Sequence, residues 1–314
     1  AWDSRPRGEG GQRWFHLYPD VQDMGPDHPL HWTGREQNWN YQCAECHSTE
    51  LRKGYDLETD TFATTWAEIN VACEACHGRG AAHVEQARAV AAGDGSAWSA
   101  DKGLAVDLAD RDGGTWSIDP STGVPARSVP RSDRTELELC ARCHSRRGQI
   151  HDRYEYGAPL GNTHRLSLLD EHLYHPDGQI LDAVDVYGSF LQSKMHRAGV
   201  ACTDCHDPHS LRLKLEGDLV CAQCHAVERY AAEAHHHHQP GTPGASCVGC
   251  HMPQRLYMVN DERADHSMRV PRPDLSLTIG SPNACNGCHA DQPAQWAADA
   301  VKQWYGDRER DEPH

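Results

Sequence analysis

Phenylalanine is nearly absent from this chain, with three in 314 residues, and the apolar fraction is only 38%. A chain of that length ordinarily buries a substantial apolar core. So little large apolar material predicts either loose packing or an interior filled by something other than side chains. Long hydrophobic runs are missing too. No stretch approaches the roughly 18 apolar residues that a membrane-crossing helix needs, so no transmembrane segment is expected. Positive charge is in deficit, with 30 Lys and Arg against 46 Asp and Glu, for a net charge of −16. Nucleic acid is recognised through basic faces, and this balance argues against it. It predicts protein partners with basic docking surfaces, whose association weakens as salt rises. The chain opens on Ala1 with no charged-then-apolar leader, so a signal peptide, if one was made, has been removed. Its first residues read as mid-domain sequence, and a longer parent chain is expected.

No cysteine stands alone. The fourteen form the pairs Cys43/Cys46, Cys73/Cys76, Cys140/Cys143, Cys202/Cys205, Cys221/Cys224, Cys247/Cys250 and Cys285/Cys288. Each pair is C-x-x-C, and each second cysteine is followed at once by a histidine: His47, His77, His144, His206, His225, His251 and His289. An even cysteine count in an exported protein often means disulfides, but C-x-x-C-H is the attachment signature of c-type haem. The two thiols add across the haem vinyl groups, and the adjacent histidine becomes the proximal iron ligand. Zinc ribbons need two pairs per ion and no trailing histidine, and an odd number of pairs leaves one over. Thioredoxin-like centres use a single pair on a βαβ scaffold. The sequence therefore predicts seven haem c groups, and seven porphyrins would supply the missing apolar volume.

Each iron has a sixth position. The chain holds 23 His, seven of them proximal, which leaves 16 (23 − 7), against five Met. Bis-histidine ligation is the economical assignment, and it predicts low potentials relative to His/Met sites. His83 follows the second motif in C-H-G-R-G-A-A-H, where a short glycine loop lets a helix start beside the site. His209, in C-H-D-P-H, is too close to reach the far face of its own haem and suits a neighbouring one. His196 lies on a predicted helix from Gly188 to Arg197, and His266 in a short extended stretch, D-H-S-M-R-V. Along the run His235–His238, successive helical residues point about 100° apart, so two could reach two different irons. His235 and His238 are favoured. The bland alternatives are solvated or hydrogen-bonded histidines and, for the run, adventitious metal binding.

The motifs crowd towards the C-terminal half. From Gly93 to Arg131 there is no Cys or His, and Gly, Asp, Ser and Pro are common. Residues 93–131 read as a haem-free loop insert within one multihaem domain spanning 1–314. Thr65 with Glu68, and Thr135 with Glu138, resemble capping boxes leading into the second and third motifs. An Ala-rich helix is expected from Ala82 to Ala92 with Gly93 as its stop, and an amphipathic one from Pro293 to Tyr305, ended by Gly306. Arg255 to Val259 reads as a strand. The fold class is mainly α with extensive coil and few short strands, organised by haem rather than by a sheet. Without haem the chain is expected to be unfolded.

Several blocks resemble multihaem c-type cytochromes that bear tetratricopeptide repeats. They include N-W-N-Y-Q-C-A-E-C-H-S-T, C-E-A-C-H-G-R-G-A-A-H, G-S-F-L-Q-S-K-M, V-A-C-T-D-C-H-D-P-H and C-V-G-C-H-M-P. Further matches are D-H-S-M-R-V-P-R-P-D, P-N-A-C-N-G-C-H, W-F-H-L-Y-P around His16 and L-H-W-T-G around His31. The resemblance spans essentially the whole chain and implies kinship with hydroxylamine oxidoreductase-like and pentahaem nitrite reductase-like proteins, whose haems stack into a continuous wire. It implies His16, His31, His83, His209, His238 and His266 as ligands. Members often carry a further haem motif upstream and repeats downstream, and this sequence departs from them at both ends. His314 could then be an orphan ligand of a continuation, or one offered to a neighbouring subunit.

Three functions follow from these readings. The first is electron transfer through six-coordinate haems, with other cytochromes as redox partners and no catalytic residues. The second is a reductase or oxidase acting on a small nitrogen or sulfur compound at a five-coordinate haem. Nitrite reductases of the resembling group carry Lys in place of the motif histidine at that haem, and every motif here ends in His. The supply of spare histidines favours the carrier. The third is a conducting homopolymer built on a heterologous interface that does not close, with a subunit of a membrane complex as its rival. Haem attachment takes place outside the cytoplasm, which points to the periplasm or the cell surface.

Overall fold

The computed structural model describes residues 1–108 and 112–306. The terminal ligand expected at His314 lies outside the described residues. Regular structure comes in small pieces. Three helices reach ten residues or more: Ala81–Ala91, Thr135–His144 and Ala294–Tyr305. The other α-helices, among the described residues, are single turns of four to six residues. Among the described residues, strands run two to four residues and pair as seven separate antiparallel two-stranded ribbons. This is the mainly α and coil architecture expected, with no sheet to serve as a scaffold.

The C-x-x-C-H motifs set much of this pattern, because several form a helical turn of their own. The second, fourth, sixth and seventh motifs are the short helices Cys73–His77, Cys202–Cys205, Cys247–His251 and Ala284–Cys288. The third closes the helix Thr135–His144. One turn places residues three apart on the same side, so both thiols of a motif face one way.

The chain sorts into two compact units. The first comprises Ala1–Arg111 with Arg134–Leu166, and the second Asp112–Asp133 with Ser167–His314. The stretch 93–131, which lacks Cys and His, is therefore divided between them, and its second part is a hairpin of Trp116–Ile118 with Pro125–Arg127. In unit 1, Leu137, Leu139 and Ala141 are buried on the helix Thr135–His144, which packs on the turn carrying buried Leu160. In unit 2, Tyr174, Ile180, Val184 and Tyr257 form an apolar cluster. Burial pushes the phenols of Tyr174 and Tyr257 up to about 12.

The core is thin. Among the described residues fifteen apolar side chains are buried, and four of these are alanines. Large apolar residues such as Leu57, Ile150, Leu168, Leu219 and Leu256 are exposed. Apolar groups buried on this scale would not order a chain of this length against its conformational entropy.

Local expectations divide. The helices near Ala82 and Pro293 form, with Gly93 and Gly306 at positive φ just past their ends. The strand near Arg255 forms as Gln254–Tyr257, paired with Asp261–Ala264. Thr65 and Glu68 do not open a helix. Thr65 bridges Arg52, and Glu68–Ile69 pairs with Ser48–Thr49, so cross-strand bonds claim the backbone that a helix would need. The helix before Cys140 starts at Thr135 with Arg134 in the cap position, and Glu138 accepts from the Leu160 N–H at 2.7 Å instead of closing a box. The helix expected from Gly188 to Arg197 is two helices, Tyr187–Phe190 and Lys194–Arg197, because Ser193 starts the second by accepting from the His196 N–H at 3.0 Å. The stretch around His266 is a turn and not extended: Asp265 accepts from the Ser267 N–H at 2.8 Å, and Met268 has φ 47°.

Candidate metal centres

No two of the fourteen cysteines are joined as a disulfide. Among the described residues no group of three or more His, Cys, Asp or Glu side chains is gathered to hold a bare metal ion. What the structure gathers instead is imidazoles in pairs.

Three pairs stand out, all in unit 2. The rings of His206 and His266 have centroids 6.3 Å apart with planes 25° from parallel. His251 and His235 are 6.1 Å apart at 10°. His289 and His238 are 6.2 Å apart at 30°. Rings in direct face contact sit much closer, as His237 does on Trp304 at 4.1 Å. Two imidazoles bound on opposite sides of one metal, at about 2.0 Å per bond, hold their ring centres roughly 6 Å apart. In every pair one histidine belongs to a C-x-x-C-H motif and the other does not. The residues present therefore fit a bis-histidine haem, with two thiols beside each proximal ring.

Ring orientation fits as well. A backbone carbonyl only accepts, so a ring nitrogen bonded to one must carry the hydrogen. His251 donates from Nδ1 to the Arg269 carbonyl at 2.7 Å, His266 to that of Ala264 at 2.9 Å, and His238 to that of His236 at 2.5 Å. This leaves Nε2 with its lone pair, the tautomer that binds a metal. Burial, helped by neighbouring His251, lowers the pKa of His235 and of His225. Both shifts favour the neutral ring, the form that ligation requires.

In unit 1, His83 has the same tautomer, donating from Nδ1 to the Lys102 carbonyl at 2.8 Å. Two glycines make room for it. Gly78, at φ 67°, turns the chain straight after His77. At Gly103, φ 70°, a Cβ would come within 2.7 Å of the His83 backbone nitrogen. His16 and His31 are oriented differently: their Nδ1 atoms accept the N–H groups of Tyr18 at 3.0 Å and Thr33 at 3.3 Å. In this conformation Nε2 carries the hydrogen. His196 lies edge-on to Phe190 at 5.6 Å, and the His209 side chain is 82% exposed beside Asp207.

With this geometry in hand the comparisons are direct. The fold is that of a multihaem c-type cytochrome. The chain is similar to a solved outer cell wall cytochrome, OcwA, at 18% identity with a TM-score of 0.55, over 86% of this chain and 64% of that one. It thus spans less than two thirds of that protein's length. A second solved structure, an undecahaem cytochrome from the S-layer of Carboxydothermus ferrireducens, matches at 19% identity over 85% of this chain and 46% of that one. Its TM-score of 0.34 is too low to argue from. A family model described as cytochrome c554 and c-prime matches residues 27–78, the span of the first two motifs. No curated protein matches.

One cluster has no counterpart in the reading of the sequence. His164 is buried with both ring nitrogens engaged, Nε2 on Glu45 Oε1 at 2.7 Å and Nδ1 on Thr163 Oγ1 at 2.8 Å. Arg147 Nη1 stands 3.1 Å from the other Glu45 oxygen as an ion pair, and its Nε donates to the Arg142 carbonyl at 2.6 Å. Burial alone would raise the Glu45 carboxyl. The His164 hydrogen bond and the Arg147 charge overcome that and hold it below its usual range. The only signal in the sequence was a charged residue placed between two motif cysteines.

Proposed function

We propose that this chain carries seven covalently attached c-type haems and conducts electrons through them, with most irons held by two histidines. The observation that carries this reading is the set of three imidazole pairs at iron-bridging distance, each completed by a motif histidine. The proximal ligands are His47, His77, His144, His206, His225, His251 and His289. Distal ligands are His266 to the fourth site, His235 to the sixth and His238 to the seventh, with His83 oriented for a site in unit 1. Haem, when bound, supplies a one-electron iron couple whose potential two imidazoles keep low. The protein's part is to fix both imidazoles, hold their Nδ1 hydrogens on carbonyls and wrap the macrocycles in place of a side-chain core.

The chain is placed by this reading outside the cytoplasm, in the periplasm or at the cell surface. Its similarity to an outer cell wall cytochrome supports that. Its partners are other cytochromes with basic docking faces, as a net charge of −16 favours. A polymer of this chain is one form such partnership can take. Kinship with the repeat-bearing cytochromes rests on the sequence blocks alone.

The test is the intact mass of the purified holoprotein together with its EPR spectrum. Seven haem additions, all low-spin and indifferent to nitrite, hydroxylamine and CO, are expected. A high-spin fraction near one in seven that binds those molecules would move the assignment to a reductase or oxidase.

A further inference from the structure

Besides pairing the histidines, each unit brings its attachment motifs into specific contact. In unit 1 the Cys46 sulfur lies 3.9 Å from the Cys143 carbonyl and 4.0 Å from that of Arg142. Arg142 sits between the cysteines of the third motif. Its Nη1 donates to the carbonyl of Ala75, between the cysteines of the second motif, at 3.1 Å. The third motif thus touches both the first and the second, with Arg142 in each contact.

The ribbon of Ser48–Thr49 with Glu68–Ile69 also links the first two motifs, and the Asn70 N–H donates to the His47 carbonyl at 3.0 Å. That link runs through the chain after Cys46 and before Cys73, not through the sulfur-bearing residues.

Unit 2 repeats the arrangement. Gln223, between the cysteines of the fifth motif, donates from Nε2 to the Asp204 carbonyl inside the fourth at 3.1 Å. Asp218, which opens the turn carrying Cys221, accepts from the Cys247 N–H at 3.1 Å and from Ser246 Oγ at 3.2 Å. The fifth and sixth motifs are thereby joined. The sixth and seventh are joined by the packing of Cys247–His251 on Ala284–Cys288.

We propose that the motifs form one unbranched line in each unit, second–third–first in unit 1 and fourth–fifth–sixth–seventh in unit 2. The proposal rests on the haem-bearing reading above. A thioether sulfur would be bonded to the rim of its macrocycle, so neighbouring cysteine-bearing turns would bring macrocycle rims near one another, the arrangement that favours electron exchange. One electron passes per hop, oxidising one site and reducing its neighbour, with no bond or proton moved. In unit 1 the spatial order departs from the order in the chain, and the third motif becomes the obligatory middle. Arg142, Gln223 and Asp218 are the positioning residues that hold the neighbours together.

The order is tested on the intact holoprotein. His266→Met, His235→Met and His238→Met mark the fourth, sixth and seventh sites with a raised potential and a His/Met spectrum. In NMR-monitored redox titrations, marking the fourth or the seventh site should shift the midpoint of one other haem, and marking the sixth should shift two. Two shifted partners for an end site, or one for the sixth, overturn the line in unit 2. A second measurement needs no variant. Dipolar contacts between haem substituents in the fully reduced wild type should join third to second and third to first, and also fourth to fifth, fifth to sixth and sixth to seventh. A contact joining first to second, or fourth to seventh, overturns the order. Fewer than seven haems by mass sinks the functional reading itself, whereas seven haems with a different contact map sink only the order.

Discussion

His235 and His251 face each other with ring centroids 6.1 Å apart and planes within 10° of parallel. Two residues along, His237 does something else: its backbone turns to φ 56° and its ring lies on Trp304 at 4.1 Å. One further, His238 faces His289. Three histidines of one four-residue run thus have separate geometries, set by a helix of four residues that ends at His236.

That division predicts a clean contrast. His235→Ala and His238→Ala should each convert one haem of seven from low to high spin by EPR, and added imidazole should restore it. His237→Ala should leave all haems low-spin and cost about 1 kcal/mol in thermal unfolding, the loss of one aromatic contact. A high-spin signal in His237→Ala would refute the assignment of roles within the run.

Removing the cofactor should remove the fold. Chain produced without haem attachment is expected to give the far-UV circular dichroism of a coil, since the buried apolar side chains alone do not offset the entropy of ordering it. A folded, cooperatively melting apoprotein would contradict this.

Glu45 is the buried acid whose loss should be felt most. Glu45→Gln leaves Arg147 without its ion-pair partner in a buried site and should cost about 3 kcal/mol near neutral pH by chemical denaturation. The pH dependence has a definite sign. The Glu45 carboxyl is depressed in the folded state, so its contribution is complete above the ordinary glutamate value of about 4.3. It is lost as pH falls through the lower folded value. The stability gap between wild type and variant should therefore close in acid and stay constant above about pH 5.

Gly78→Ala would place a Cβ at φ 67°, 2.8 Å from the Ala105 Cβ. A loss of about 1 kcal/mol or more in thermal unfolding is expected. The EPR g-values of one low-spin haem should shift with it, because this turn connects His77 to the helix that presents His83.

The proposed covalent chemistry is read from the sequence by itself. Two thiols and a histidine within five residues need only one helical turn to be presented together, so the attachment sites are legible wherever C-x-x-C-H occurs. The same locality made the helices near Ala82 and Pro293 readable, since their stop signals lie in the next residue or two. The capping pattern at Thr65 failed because bonding to Arg52 and to Ser48–Thr49 comes from further along the chain. Tertiary structure alone decided which histidine faces which. His206 and His266 lie on opposite sides of two intervening motifs in the chain, and His164 could have been a ligand by composition, yet both its nitrogens are held by Glu45 and Thr163. An imidazole's role depends on what stands about 6 Å from its ring and which nitrogen keeps the hydrogen. Folding brings those neighbours from distant parts of the chain, and no local pattern of residues encodes them.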